Sequence, residues 1–206
     1  MNLFETKHET PWEYYTASDV LSSTVTGCLN VVPLSDFYTQ YTEQDEIDRN
    51  YDERNILYHD VKDSSIVDMF TDRTLIGDIE HTLGVTLALK GVKLTLMSIT
   101  GPRDVWIHPD SSDKIVSIII YLGSECMRGK GTWIYADERA LHTKLDHIPN
   151  TSCMFAPNTN TWHSCPEIAA GSTPRRSLMI NYVDIPNRLQ MIKDPTLMIP
   201  DNVYRL

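Results

Sequence analysis

Three side chains in the second half of this 206-residue chain have the types and spacing that could hold a metal ion. His108 and Asp110 stand two apart in WIHPDSSDK, and His163 follows in NTNTWHSCPE. In extended backbone, residues i and i+2 face the same side, so an imidazole and a carboxylate at that spacing can reach one ion together. Pro109 between them stiffens the segment. A second imidazole, from a strand of the opposite sheet, would complete two nitrogens and one oxygen on one face of the metal. The other positions would then be open. The pair alone carries little weight, because seven histidines and 28 acids make about one such H-x-[DE] expected by chance. Order gives it weight: the pair follows one strand and precedes a wholly apolar one, His163 comes several strands later, and a strand bearing two arginines is next.

Two imidazoles and one carboxylate with open positions opposite them are the ligand set of non-haem Fe(II) oxygenases. In the arginine strand RRSLMINYV, Arg175 and Ser177 point to one face, Arg176 and Leu178 to the other. A guanidinium can bind the end group of a dicarboxylate bidentately, and a serine hydroxyl can add a donor to the same carboxylate. A one-residue error in strand parity would exchange the two arginines, and the shared face with Ser177 favours Arg175.

The elements that must position these groups divide at Val85. Before it, Ser18 can cap a short helix through Val20, Leu21 and Val25 toward Gly27. The acidic stretch 43–63 reads as a solvated loop or lid. Ser64 or Ser65 begins a core-packing helix through Ile66, Met69, Phe70, Ile76, Ile79 and Leu83, closed by Gly84. After it, VTLALKGVKLTLMSIT predicts two strands joined at Lys90-Gly91. Short strands follow at 114–122, 131–136, 151–156, 161–165 and 175–183, a spacing that indicates an antiparallel sandwich or barrel. KIVSIIIYL should be buried on both faces, and the alternating RRSLMINYV half exposed or lining a cavity. The organisation expected is 1–84 helices and loops, 85–184 catalytic core and 185–206 an irregular tail, as one domain.

The net charge of −10, with no Lys/Arg cluster, excludes a general nucleic-acid binder and a polybasic membrane binder. It leaves room for a small anion held by one or two local cations. No window approaches the roughly 20 apolar residues of a membrane span, and MNLFETKHETPW lacks the flank and apolar run of a signal peptide, so the expected compartment is cytoplasmic. The four cysteines show no CxxC spacing and read as buried thiols.

Taken together, His108-Pro109-Asp110, the KIVSIIIYL strand, the GKGTWIYAD hairpin, Trp162-His163 and the Arg175-Arg176-Ser177 strand resemble the 2-oxoglutarate and Fe(II)-dependent oxygenases, over about residues 85–184. The small members related to prolyl hydroxylases are the most similar. The resemblance implies a mostly β fold, a double-stranded β-helix (jelly roll, cupin-like) with packing helices. It implies Fe(II) held by His108, Asp110 and His163, 2-oxoglutarate as cosubstrate with its far carboxylate on Arg175 and Ser177, and O2 as oxidant. The reaction would be oxidative decarboxylation of 2-oxoglutarate coupled to hydroxylation of a small-molecule or peptide substrate, a peptidyl proline or amino acid first. No strand-borne tyrosine is evident as an extra cosubstrate contact. A jelly-roll metal-binding module without oxidation and a cupin-type metal enzyme not using 2-oxoglutarate stay open; the Arg175/Ser177 pair separates the oxygenase from both.

Other residues read as bland. Trp106, Trp133 and Trp162 are core packers, Cys165 is an inert thiol rather than a fourth ligand, His142 and His147 flank a helix-like loop as exposed residues, and Arg103 and Arg128 are solvated turn residues. An acidic rim would favour a neutral or cationic substrate. Nothing in the sequence sets the oligomeric state.

Overall fold

The computed structural model describes residues 1–38, 56–101, 105–186 and 198–206. Among these, two antiparallel sheets are stacked. The larger contains β1 (Thr6–His8), β2 (Tyr14–Ala17), β3 (Ile56–Asp60), β4 (Gly91–Ile99), β6 (Lys114–Leu122), β9 (Ser152–Phe155), β11 (Arg175–Val183) and β12 (Val203–Arg205). Its order is β1-β2-β9-β6-β11-β4-β12, with β3 also paired to β4. The smaller runs β5 (Val105–His108), β10 (His163–Cys165), β7 (Trp133–Tyr135), β8 (Leu141–Lys144). From β4 to β11 the chain passes repeatedly between the two sheets, which is the double-stranded β-helix.

Two of the three nine-residue strands begin and end where the apolar patterning does, at Lys114–Leu122 and Arg175–Val183. Their β-branched and aromatic residues fit a pleated surface covered on both sides. The largest apolar core lies outside the sandwich: Ile118 and Ile120 of β6 and Leu178, Ile180 and Tyr182 of β11 point to the helices α1 (Ser23–Asn30), α2 (Ser64–Thr71) and α3 (Arg73–Leu83), meeting Leu29, Ile66, Phe70 and Ile79. Each fully buried Leu or Ile there contributes about 1.5–3 kcal/mol. Smaller apolar groups, around Trp12 with Phe155 and Met97 with Ile99, fill only parts of the space between the sheets. β11 is therefore buried along most of its length, and of the two alternatives expected for it the cavity lining holds: Arg175, Met179 and Asn181 border a cavity between the sheets.

Several local expectations change. The first helix is capped by Ser22, whose Oγ accepts from Val25 N at 3.3 Å, and not by Ser18; Asp19 has φ 50°, a turn conformation. The helix expected from 64 to 83 is two, because Asp72 caps the second, accepting from Thr74 N at 3.0 Å and Leu75 N at 3.1 Å. Gly84 closes it in the left-handed region, φ 64°. The segment before Gly91 forms no strand: Leu87 N donates to the Glu80 carboxylate at 2.6 Å and Leu89 turns through φ 62°, so one strand stands where two were expected. Of the acidic stretch, Ile56–Asp60 is a strand beside β4 and 43–55 lies outside the described residues. The tail contributes β12 to the same edge of β4. Cys153 and Cys165 are buried thiols, whereas Cys28 and Cys126 are exposed.

Gly131, before β7, shows how tightly this end is drawn together. Its N–H donates to Leu145 O at 2.9 Å, and a Cβ there would sit 2.8 Å from the carbonyl oxygens of both Leu145 and Asp146. Backbone cannot step aside as a side chain can, so Gly131→Ala is expected to cost about 1–3 kcal/mol in urea denaturation. A stability within a few tenths of wild type would show the turn to be slack.

Candidate metal centre and its cavity

His108 ends β5 and His163 begins β10, and the two strands are neighbours in the small sheet with these residues directly paired. The expectation of ligands from opposite sheets is corrected: cross-strand register does the work, bringing the ring centroids to 4.7 Å. Asp110, two residues beyond His108, turns back toward them. One ligand atom from each of His108, Asp110 and His163 lies within 4.8 Å of the others.

The imidazoles are oriented by backbone. His108 Nδ1 lies 2.8 Å from Trp106 O, and His163 Nδ1 lies 2.9 Å from Thr161 O. A carbonyl can only accept, so Nδ1 carries a proton in both rings and Nε2 is the atom left to face a metal, the arrangement metal-ligating histidines need. Burial pushes the His163 pKa down to about 4, with His108 adding to the effect and Asp110 opposing it, so this ring is neutral at pH 7.

The Asp110 side chain is 4% exposed. Burial pushes its carboxyl up, but the Lys114 ammonium, His163 and two hydrogen bonds together hold it below the usual carboxylate range. Its Oδ1 is paired with Lys114 Nζ, and its Oδ2 accepts from Ser117 Oγ at 2.6 Å. Ser117 Oγ in turn lies 3.1 Å from the Asn181 side-chain oxygen. Sequence inspection missed Lys114, Ser117 and Asn181. Only Lys114 left a trace, four residues after Asp110; the others reach the site through sheet register.

All three ligand candidates border a cavity of about 380 Å³ between the sheets, whose middle is walled by Met97, Ile119 and Met179. Arg175 also borders it and is 1% exposed. Its Nε donates to Lys130 O at 2.5 Å and its Nη1 to Cys165 Sγ. Among the described residues no carboxylate pairs with it. Arg176 faces the other way, donating to Asn30 O at 2.8 Å and Val32 O at 2.9 Å at the end of α1, with its guanidinium 5.5 Å from the Phe37 ring centroid. Ser177 shares Arg175's face; it is fully buried, and its Oγ has no hydrogen-bond partner among the described residues.

Tyr121, on the cavity-facing side of β6, has the Arg175 guanidinium 5.9 Å from its ring centroid. Its hydroxyl donates to Thr132 Oγ1 and accepts from Thr132 N, both at 2.9 Å, so a strand-borne tyrosine is present with its oxygen already used. Cys165 lies against Arg175. Trp106 is 55% exposed and no core packer, while Trp133 and Trp162 are half-buried. His142 and Arg128 are exposed as expected; Arg103 lies outside the described residues.

His147 is the opposite of its expectation. No loop-surface residue, it is fully buried, donating through Nε2 to Leu122 O at 2.7 Å with Nδ1 unpartnered. Burial, then the charge of Arg175, pushes its pKa down to about 4. The unfolded chain therefore takes up this proton first: the native state is unaffected above about pH 6.5 and loses stability as pH falls from there toward 4, by about 2 kcal/mol at pH 5. His147→Gln keeps a donor and removes the titration, so its loss of melting temperature between pH 7 and 5 should be smaller than that of wild type. Equal losses would place the proton elsewhere.

No protein-family model and no curated protein sequence matches the chain. Solved structures do. A prolyl hydroxylase from Trichoplax adhaerens, in complex with a hypoxia inducible factor oxygen degradation domain peptide, superposes with a TM-score of 0.63 at 16% identity, over 88% of this chain and 86% of that one. A Pseudomonas putida prolyl-4-hydroxylase gives 0.57 at 12% identity, over 84% and 93%. HygX of Streptomyces hygroscopicus, with nickel and 2-oxoglutarate bound, gives 0.57 at 10%, over 83% and 82%. This chain has the double-stranded β-helix fold that those 2-oxoglutarate oxygenase structures share.

Proposed function

We propose that the protein is a 2-oxoglutarate- and Fe(II)-dependent oxygenase that hydroxylates a small-molecule or peptide substrate. The observation that carries this reading is the pairing, in one cavity, of two imidazoles each held through Nδ1 and a carboxylate with a buried guanidinium that has no counter-ion among the described residues. The donor set suits Fe(II): two imidazole Nε2 atoms and one ionised carboxylate, each already fixed by a second hydrogen bond. An unpaired buried guanidinium is costly, and an incoming carboxylate would relieve that cost. Cys165, against which Arg175 rests, is two residues beyond His163, about 7 Å along an extended strand. A five-carbon diacid can span that gap, one end at the His108–Asp110–His163 group and the other on Arg175, with Ser177 Oγ as a second donor.

When bound, Fe(II) would supply the O2 activation that couples loss of CO2 from 2-oxoglutarate to oxidation of the substrate. The chain's own contribution is to hold His163 neutral, to keep Asp110 ionised through Lys114 and Ser117, and to wall the cavity with Met97, Ile119 and Met179 against water. The likeness to prolyl hydroxylases makes a peptidyl proline or an amino acid the first substrate class to test. Anaerobic addition of Fe(II) and then 2-oxoglutarate should give a visible metal-to-ligand charge-transfer band, and O2 should then release succinate. Folded protein that shows neither is not this enzyme.

A further inference from the structure

The cavity has a second cationic wall that the metal group and Arg175 leave unexplained. Lys93 and Thr95 stand two apart on the inward face of β4, and both border the cavity. Lys93 is opposite Asn181 on β11, Asn181 is opposite Ser117 on β6, and Ser117 bonds Asp110. This wall therefore belongs to the metal end. Arg175, opposite Ile99, begins β11 six residues away from Asn181, about 20 Å of strand.

Neither residue has its interactions met. Lys93 is half-buried and forms no ion pair among the described residues, whereas the neighbouring lysines are engaged, Lys114 with Asp110 and Lys90 with Asp184. Thr95 is 4% exposed, and its Oγ1 has no hydrogen-bond partner among the described residues. Among the described residues, Asp60, opposite Thr95 on β3, accepts from the Tyr38 hydroxyl at 3.0 Å and the Asn202 amide at 2.9 Å, and Asp113 borders the cavity as an exposed residue that forms no ion pair with Lys93. An ammonium and a buried hydroxyl, both with unused donors and both facing one cavity, match an oxyanion. The net charge of −10 does not oppose this, because bulk charge acts across screened solvent while a bound group feels the nearest cation.

We propose that Lys93 and Thr95 form a subsite for an acidic group of the substrate, a carboxylate or phosphate, and so select an acid where the overall charge suggested a neutral or cationic molecule. That this acid is the substrate rests on the oxygenase reading; that the subsite binds an oxyanion does not. The cavity then sorts two acids by its two ends, a cosubstrate on Arg175 and a substrate on Lys93.

The test compares probes that differ in charge alone, N-acetyl-L-proline with N-acetyl-L-prolinamide and hexanoate with hexanamide, and adds phenyl phosphate to separate phosphate from carboxylate preference. Binding is measured by ligand-observed NMR to the full chain, both metal-free and with Ni(II) and 2-oxoglutarate. At least one acid should bind tenfold or more tighter than its amide or, for phenyl phosphate, than phenol. That preference should vanish in Lys93→Met, persist in Lys93→Arg and weaken severalfold in Thr95→Val. Nickel and 2-oxoglutarate affinity in Lys93→Met should match wild type. No charge preference in wild type, no binding by any acid, or a preference that survives Lys93→Met overturns the subsite. A collapse of 2-oxoglutarate affinity in Lys93→Met also overturns it, by making Lys93 the cosubstrate's anchor. If nickel and 2-oxoglutarate fail to bind while the Lys93-dependent preference stays, the subsite holds and the oxygenase reading falls.

Discussion

Replacing His163 by alanine is expected to lower Fe(II) affinity by more than about 100-fold and to erase the charge-transfer band, while the protein remains folded. The magnitude follows from position. Even partners that only orient a ligand are worth about 10–100-fold in metal affinity, and His163 would be a ligand itself. Folding should survive because the ring is neutral at pH 7 and its hydrogen bond is a local one, to Thr161 O two residues away. His108→Ala should behave alike. Asp110→Ala should differ, because it also leaves Lys114 without its ion-pair partner and Ser117 without its acceptor. Titration with Co(II), whose visible bands report ligand number, separates the three from the exposed control His142→Ala. Unchanged Co(II) spectra in both histidine variants would remove the metal centre from the protein.

The second large effect should divide two adjacent arginines. Arg175→Met is expected to weaken 2-oxoglutarate binding by about 100-fold or more, since charge-assisted bidentate contacts are among the strongest polar ones. Its effect on stability should be small, because the lost bond to Lys130 O is offset by removal of a buried charge that has no counter-ion among the described residues. Arg176→Met should do the reverse: no change in cosubstrate affinity, and a loss of about 1–2 kcal/mol as two carbonyls at the end of α1 lose their donor and Phe37 loses its cation. Isothermal titration with 2-oxoglutarate and Ni(II), beside urea denaturation, reads both quantities. An affinity loss confined to Arg176→Met would exchange the two roles.

How far these residues could be found from the sequence depended on how local their placement is. His108 and Asp110 are two residues apart, so the pair could be read locally, although its weight came from the order of the strands around it. The parity of β11 was readable for the same reason, and the lengths of β6 and β11 followed from apolar runs that nothing interrupts. Lys93, Ser117 and Asn181 are far apart in sequence and meet only because β4, β11 and β6 pair in one register. No pattern within any one of those strands encodes that alignment. The same limit put the two histidines in opposite sheets when they are cross-strand partners. Other failures came from local competitors: Asp72 offers the backbone a cap in mid-helix, and the hydrogen bond from Leu87 to Glu80 overrides a strand-like alternation. His147 was unreadable because the groups its ring meets are about 25 residues away in sequence, Leu122 O and the Tyr121 ring.

The division of β11 between its two faces has a meaning for how such a protein can change over generations. Leu178, Ile180 and Tyr182 are committed to the helices, and the largest group of buried apolar side chains is gathered on that side. Arg175, Met179 and Asn181 look into the cavity and are excused from that duty. Selection can therefore rewrite the inner residues, and with them the molecule that is recognised, while the outer residues hold the framework still. New specificity and lost foldability are, along this strand, separated by a single step in sequence.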